Sequence, residues 1–416
     1  MATGRSNRKL ALVMVGLPAR GKTYTAKKLA RYLAWLGYNA QVFNVGNYRR
    51  TRLGAHQPHE FFDPNNPAGA AARRELAMEA LDDMLGWLRD TGDVAIYDAT
   101  NSNKERRARV QQRCEQANTQ VLFIESRCDD EAIIEQNIRS TKLAMPDYEG
   151  LDPNDAVADF RARISHYEEA YQTVDDDEGS YIKLIDVGRQ IQVNRVDGYL
   201  AAHLVSFLLN LHLTQRPILL TRHGESAFNE MNLIGGDPNL AERGVQYAKH
   251  LAAHLDTHFP KRDEVTVWTS SLQRTIETAS HLNRASESWR ALDEIDAGVC
   301  DGMSYAQIKS TMPDEYAARS RDKFRYRYPR GESYQDVIQR LDRVIIELER
   351  QRSPIVIVAH QAVIRVLYAY LMEVPPERSP HLSIPLHTVI ELSPHAYGCT
   401  ERRIPLGPHV PSASSG

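Results

Sequence analysis

The stretch LALVMVGLPARGKTYTAKKL, residues 10–29, decides the fold of the first half of the chain. Its opening, Leu10 to Val15, has the unbroken apolar character of a strand buried on both faces. GLPARGKT, Gly16 to Thr23, then fits the pattern G-x-x-x-x-G-K-S/T, and a helical pattern runs on from Lys22. Strand, glycine loop and helix in that order make a phosphate cradle. Gly16 and Gly21 let the backbone curl so that N–H groups converge on phosphate oxygens, aided by the positive end of the helix. Lys22 offers a charge to the outer phosphates of a nucleoside triphosphate, and Thr23 a hydroxyl to Mg2+. A glycine-rich turn matching by accident would lack the flanking strand and helix, and both are predicted here.

Outward from that loop, short apolar runs alternate with helical patterns. LALVMVG, AQVFNVG, DVAIYDATN, QVLFIESR and YIKLIDVG read as strands, with helices over 22–36, 67–89, 103–116 and 153–171. Such alternation predicts an α/β domain on a mostly parallel sheet with helices on both faces. Asp98, at the end of the third run, is placed to hold Mg2+ or to accept the proton of an acceptor hydroxyl. Arg49, Arg73, Arg106, Lys142 and Arg163 are basic candidates that composition alone does not single out. The acidic run DDDEGS, 175–180, reads as a solvated loop, and YLAAHLVSFLLNLHL as a packed helix at a domain boundary.

The pattern restarts near Thr214. PILLTRHG, EVTVWTS, SPIVIVAH and TVIELSP are predicted strands, with helices over 240–257, 271–281, 333–351 and 362–371. This gives two α/β domains, 1–213 and 214–403, followed by a disordered tail over 404–416. In TRHGES an arginine and a histidine share a strand end, the setting for an imidazole that attacks phosphorus while cations hold the equatorial oxygens. Arg274 in WTSSLQRTIETA and His360 in VIVAHQAVIR recur at comparable strand ends. Glu294, between them, is the candidate acid for the leaving oxygen. Arg222, His223, Arg274 and His360 thus form a positive pocket that needs no metal.

Composition bounds the partners. The chain has 416 residues, 42% hydrophobic and 25% charged, with a net charge of -3, so it exerts no global pull on nucleic acid or anionic membrane. Its four cysteines, Cys114, Cys128, Cys300 and Cys399, are too sparse for a disulfide scaffold and fit a reducing cytoplasm. The residues alone therefore imply small-molecule phosphoryl gain and phosphoryl loss in one protein. A nucleic-acid end-healing kinase/phosphatase would also pair two such sites, but it should carry a basic groove. A protein with only one active half is the other alternative.

The strings VGLPARGKTY, VFNVGNYRR, DATN, FIESRCDD, RHGES, DEIDAGVC, YRYPRGESYQD, HQAVIR and PLHTV, spread from about residue 9 to about 403, resemble the bifunctional 6-phosphofructo-2-kinase/fructose-2,6-bisphosphatase family. The resemblance implies a P-loop kinase fold followed by a histidine phosphatase fold like that of phosphoglycerate mutase. It implies ATP with Mg2+ at the first site, on Gly16, Leu17, Pro18, Ala19, Arg20, Gly21, Lys22, Thr23, Tyr24, Asn137 and Lys142. It assigns fructose 6-phosphate to Arg49, Arg73, Thr100, Arg106, Lys142, Arg163 and Tyr167, with Lys22, Asp98 and Cys128 as active-site positions and Thr23 and Asp98 on the metal. At the second site it makes His223 the phosphohistidine, Glu294 the acid and His360 a phosphate ligand. Arg222, Asn229, Gly235, Arg274, Tyr305, Arg319, Lys323, Tyr334, Gln361 and Arg365 would then contact fructose 2,6-bisphosphate. A homodimer is also implied.

Overall fold

A computed structural model of the chain describes residues 9–139, 146–186, 188–212, 214–395 and 398–407. It divides into two compact units, Met1–Leu213 and Thr214–Gly416. All four cysteines are free thiols, and among the described residues no helix is long and apolar enough to cross a membrane.

In the first unit the elements run β1 (Lys9–Val15), α1 (Lys22–Trp35), β2 (Ala40–Asn44), α2 (Val45–Leu53), α3 (Pro67–Asp90), β3 (Val94–Asp98), α4 (Lys104–Gln116), β4 (Thr119–Arg127), α5 (Glu131–Asn137), α6 (Pro153–Glu168), β5 (Tyr181–Ile185), β6 (Gln190–Asn194) and α7 (Tyr199–Asn210). The six strands lie in the order β2-β3-β1-β4-β5-β6, all parallel except the β5–β6 pair. β1 sits between β3 and β4, so the chain switches direction of travel across the sheet there. The loops after β1, β3 and β4 therefore open on one crevice at the carboxyl ends of the strands. One face buries Ala11, Val13, Val15, Ala95, Tyr97 and Phe123 beneath Ala80, Leu81 and Met84 of α3 and Val110 and Cys114 of α4. Alternation turns Leu12, Met14 and Ile96 to the opposite face, also fully buried, and α1 packs across β1, β2 and β3.

The second unit runs β7 (Ile218–Arg222), α8 (Ala227–Glu230), α9 (Glu242–His258), β8 (Thr266–Thr269), α10 (Gln273–Ser280), β9 (Ser286–Ser288), α11 (Tyr305–Thr311), α12 (Pro313–Arg321), α13 (Tyr334–Arg350), β10 (Ile355–Ala359), α14 (Gln361–Leu371), β11 (Thr388–His395) and β12 (Gly398–Pro405). Its order is β12-β11-β7-β10-β8-β9, with β7, β10, β8 and β9 parallel and β11 antiparallel to both its neighbours. Leu219, Val267, Val356, Val358 and Val389 form a core with Tyr247, Leu251 and Leu255 of α9.

Three expectations need correction. The run AQVFNVG is strand only to Asn44, whose side chain accepts from the Asn47 N–H and caps α2 directly behind it. The acidic run is solvated only in part: Asp175, Asp176 and Asp177 are exposed, but Asp176–Glu178 form a 3-10 turn closed by a capping box at Asp175. Glu178 is buried there and grips the fully buried Arg107 through two bonds of 2.6 and 2.8 Å. The tail does not begin at 404, because β12 pairs with β11 as far as Pro405, and Ile404 and Leu406 pack on the second core. Residues 408–416 of that tail, like Lys142, lie outside the described residues.

Candidate active sites

Gly16 stands at φ +137°, and its N–H donates to the Thr100 carbonyl at 3.0 Å. A Cβ there would meet the Ser126 carbonyl oxygen at 2.4 Å, so the loop touches the end of β4 at a point only glycine fits. Gly21 caps α1 at φ +83°, which frees the first turn of that helix to face an anion. Lys22 turns its ammonium back onto the Leu17 carbonyl at 2.6 Å, and the Asn137 amide holds the Ala19 carbonyl at 3.1 Å. Arg20 reaches Pro18 and, at 3.5 Å, Glu168. Thr23 and Tyr24 follow in the first turn of α1, where the Tyr24 hydroxyl donates to the His212 carbonyl at 3.0 Å. Asp98 ends β3 beside β1, buried, with Oδ2 accepting from the Asn44 amide at 2.5 Å.

Cys128 lies in an apolar cluster with Ala19, Ile134, Tyr148, Val157 and Phe160. Burial raises its thiol above the ordinary value, so it packs under the phosphate loop as a neutral group.

The structure brings Arg49 and Arg163 to the ring of Phe62 and Arg73 to that of Phe61. The Arg163 guanidinium lies 3.7 Å from the centre of Phe62 and that of Arg49 at 5.4 Å, while Tyr167 is 6.1 Å from the same ring. Arg73 binds the carbonyls of Phe61 and Asp63 and feels the charges of Arg106 and Arg163. Burial, and then Arg163, pull Arg49 below its ordinary pKa; burial does the same to Arg73. Buried N–H groups at Arg49 Nε and Nη1, Arg73 Nε and Arg163 Nε have no acceptor among the described residues. Converging cations, of which Arg49 is buried and Arg73 and Arg163 half-buried, with donors to spare, could bind an anion. Sequence reading missed Asp147, which accepts from Arg49 at 2.5 Å and Arg50 at 3.1 Å and so fixes α2 arginines from another segment.

In the second unit the adjacent parallel strands β7, β10 and β8 deliver His223, His360 and Ser270 at their carboxyl ends. The His223 and His360 rings lie 5.1 Å apart. His223 Nδ1 donates to the Gly224 carbonyl at 2.7 Å, which leaves Nε2 as the free nucleophilic nitrogen. Burial first, then Arg274 and Arg222, hold His223 well below the ordinary imidazole pKa, so it is neutral at pH 7. Arg274 Nε donates to His360 Nδ1 at 3.3 Å, and His360 Nε2 donates to Ser270 Oγ at 2.7 Å. His360 is held neutral by burial and the same arginines. Burial lowers Arg222 to about 10, still cationic at pH 7, and its buried Nε has no acceptor among the described residues.

Glu294 Oε1 accepts from the Ile295 N–H at 3.0 Å and from the Ala362 N–H at 3.1 Å, in the first turn of α14 beside Gln361. A second cationic group lies further out. Arg319 bonds Tyr305 at 2.8 Å and Tyr328 at 2.9 Å, and Arg365 bonds Tyr334 at 3.1 Å. Lys323, lowered to about 8 by burial, then Arg319 and Arg365, belongs with them. Asn229 closes a capping box on Ser226, and Gly235, at φ +73°, abuts Asp301 with no room for a Cβ. Thr278, which accepts from the Gly224 N–H at 3.0 Å, and His387, which accepts from the Glu225 N–H at 3.2 Å, were not singled out in the sequence. His387 lay within the quoted string PLHTV.

A phosphate loop on a parallel sheet and a paired-histidine pocket on another define a kinase unit joined to a histidine phosphatase unit. The family models and the sequence relatives agree. Residues 1–215 match the family model 6-phosphofructo-2-kinase, and residues 218–405 match the histidine phosphatase superfamily (branch 1). The chain is 51% identical over 408 residues to a 6-phosphofructo-2-kinase/fructose-2,6-bisphosphatase of Arabidopsis thaliana, covering 97% of this chain and 54% of that protein. It is 48% identical over 392 residues to the protein of that name from Gallus gallus, covering 93% and 83% respectively. It thus spans about half the length of the plant relative and most of the length of the bird one. The solved alpha-ribazole phosphatase of Shigella flexneri is 25% identical with a TM-score of 0.42, covering 45% of this chain and 96% of its own. The chain belongs to the 6-phosphofructo-2-kinase/fructose-2,6-bisphosphatase family and carries both its kinase and its phosphatase domain.

Proposed function

We propose that the first unit transfers the γ-phosphoryl group of ATP to the 2-hydroxyl of fructose 6-phosphate, and that the second removes it again. The observation that carries the reading is the presence in one chain of a phosphate-transfer loop and of a neutral imidazole whose Nε2 is freed beside buried Arg274 and half-buried Arg222. One chain can then write and erase a sugar bisphosphate that signals glycolytic flux.

In the kinase direction the Gly16–Tyr24 loop holds the triphosphate and the Arg49, Arg73, Arg106 and Arg163 group holds the sugar phosphate. Asp98 accepts the proton of the attacking hydroxyl or orients it. The Thr23 hydroxyl and Asp98 carboxylate are hard oxygen donors of the kind Mg2+ takes, and such an ion would neutralise charge on the phosphates. In the other direction the His223 Nε2 lone pair forms a bond to the 2-phosphorus, and the bond to the sugar oxygen breaks. Glu294 gives that oxygen its proton. Water then attacks phosphorus, Glu294 takes a proton from it, and the P–N bond breaks. Arg222 and Arg274 bind the equatorial oxygens as charge gathers, and Arg319, Lys323 and Arg365 hold the 6-phosphate. The sparse, free cysteines support cytoplasmic residence, and the homodimer comes from the resemblance.

The test is label transfer. Purified protein with γ-labelled ATP should label fructose 6-phosphate at the 2-position, and should release phosphate from the labelled bisphosphate through an acid-labile protein-bound phosphate. Labelling of a 5′-hydroxyl oligonucleotide instead would overturn the reading, and label in only one direction would reduce it to one active half.

A further inference from the structure

The phosphatase reading leaves a question of position. Glu294 sits on an irregular segment, after the 3-10 turn Arg290–Leu292, with no sheet ladder to fix it. We propose that Arg340 and Glu332 are the positioning pair that sets this segment so that Glu294 reaches the leaving oxygen. The proposal rests on the reading of Glu294 as the acid.

Arg340 projects from the middle of α13, and all its nitrogens are engaged. Nη1 donates to the Ala291 carbonyl, and Nη2 to those of Asp293 at 2.6 Å and Glu294 at 3.3 Å. Nε and Nη2 also fork onto Glu332 at 2.9 and 3.2 Å. Glu332 in turn accepts from the Asp296 N–H at 3.0 Å, and its own N–H donates to the Asp296 carbonyl at 2.9 Å. The pair therefore grips the segment on both sides of Glu294, through carbonyls at 291, 293 and 294 and both backbone groups of 296. The segment's opposite edge is tied as well: the Asp293 carboxylate accepts from the N–H and hydroxyl of Ser271, next to the Ser270 that orients His360. The acid and the histidine pair thus hang on one frame of side chains.

These backbone groups have no helix or strand to satisfy them, and a guanidinium substitutes for one. Only a planar fork of five donors can serve three carbonyls and a carboxylate together. An ammonium of equal charge, with donors radiating from a single nitrogen, cannot. Arg340 touches no reacting atom in the proposed chemistry, and although its charge reaches His360, Arg340→Lys keeps that charge, so what the substitution changes is the seat of Glu294.

The experiment compares leaving groups. In Arg340→Lys, turnover of fructose 2,6-bisphosphate, whose alkoxide needs a proton, should fall about tenfold to a hundredfold, the scale of general acid catalysis. Phosphorylation of His223 by p-nitrophenyl phosphate, whose phenolate departs without one, read as the pre-steady-state release of p-nitrophenolate before the hydrolysis step that also uses Glu294, should change by less than about threefold. Equal losses on both substrates, or no loss on either, would overturn the proposal. Retained p-nitrophenolate release shows a folded site. If Arg340→Lys loses its fold, Glu332→Gln, which keeps the arginine without its ionic partner, should show the same split in smaller degree, and its absence counts against the pair. Glu294→Gln separates the two layers. If it shows no dependence on leaving group, Glu294 is not the acid; if it does and Arg340→Lys does not, only the positioning role fails.

Discussion

At Lys323 the structure converts a neighbourhood into a pH dependence. Burial, then Arg319 and Arg365, lower this ammonium to about 8. Its charge is present below that pH and lost above it, and kcat/KM reports the free enzyme's titrations. For fructose 2,6-bisphosphate, kcat/KM should therefore decline as pH rises through about 8, with the loss in KM. Lys323→Arg should remove the decline, because a guanidinium keeps its charge there. An unchanged profile in that variant would assign the titration elsewhere. Lys22 makes a simpler case. Its ammonium already lies in the phosphate loop, on the Leu17 carbonyl. Lys22→Met should lower the kinase rate on the order of a hundredfold to a thousandfold, as loss of a transition-state charge contact does, and leave phosphatase turnover intact. A kinase that keeps more than about a tenth of its rate would remove Lys22 from that role.

Among the elements, the loop between β1 and α1 distinguishes two glycines that look alike in the sequence. Gly16 and Gly21 both have positive φ, but a Cβ at Gly16 would collide with the Ser126 backbone, whereas one at Gly21 meets nothing within 4 Å. Gly16→Ala should therefore abolish ATP binding or unfold the first unit, and Gly21→Ala should retain measurable ATP binding at reduced affinity. Calorimetric titration with ATP checks both, and equal effects would refute the packing argument. The same contrast shows what sequence can carry. The central parallel strands were legible because burial on both faces makes them continuous apolar runs, as in LALVMV and IVIVA. β6, β9 and β12 were not, since QIQVN, SES and GCTERRIP are polar edge strands that register only beside a neighbour. Site residues on motif loops, such as Gly16, Asp98, His223 and His360, could be read in order along the chain. Asp147, Thr278 and Arg340 could not, because each acts on a partner from another element, at 98, 54 and as many as 49 residues' separation respectively.

On the scale of the whole molecule, each unit holds a sheet core of its own, one around Ala11, Val13 and Phe123, the other around Leu219, Val356 and Leu251. A fragment from Thr214 to Gly416 should accordingly fold in one cooperative transition and hydrolyse fructose 2,6-bisphosphate. Its stability should depend on acidity in a direction set by the buried pair. Burial lowers both His223 and His360 below their unfolded value, which is about 6.5. In the window between folded and unfolded pKa the unfolded chain binds the extra protons, so stability is full above about pH 6.5 and drains away as pH falls. Each histidine contributes a slope of up to about 1.4 kcal/mol per pH unit in that window. His360→Gln removes one of the two titrations. Melts of the fragment between pH 7 and pH 5 should therefore show a clear fall for the parent sequence and a shallower one for the variant, whatever their absolute melting temperatures. Parallel curves would mean that the histidine pair is not what acid attacks, and a fragment that never folds would mean that residues before Thr214 complete the second core.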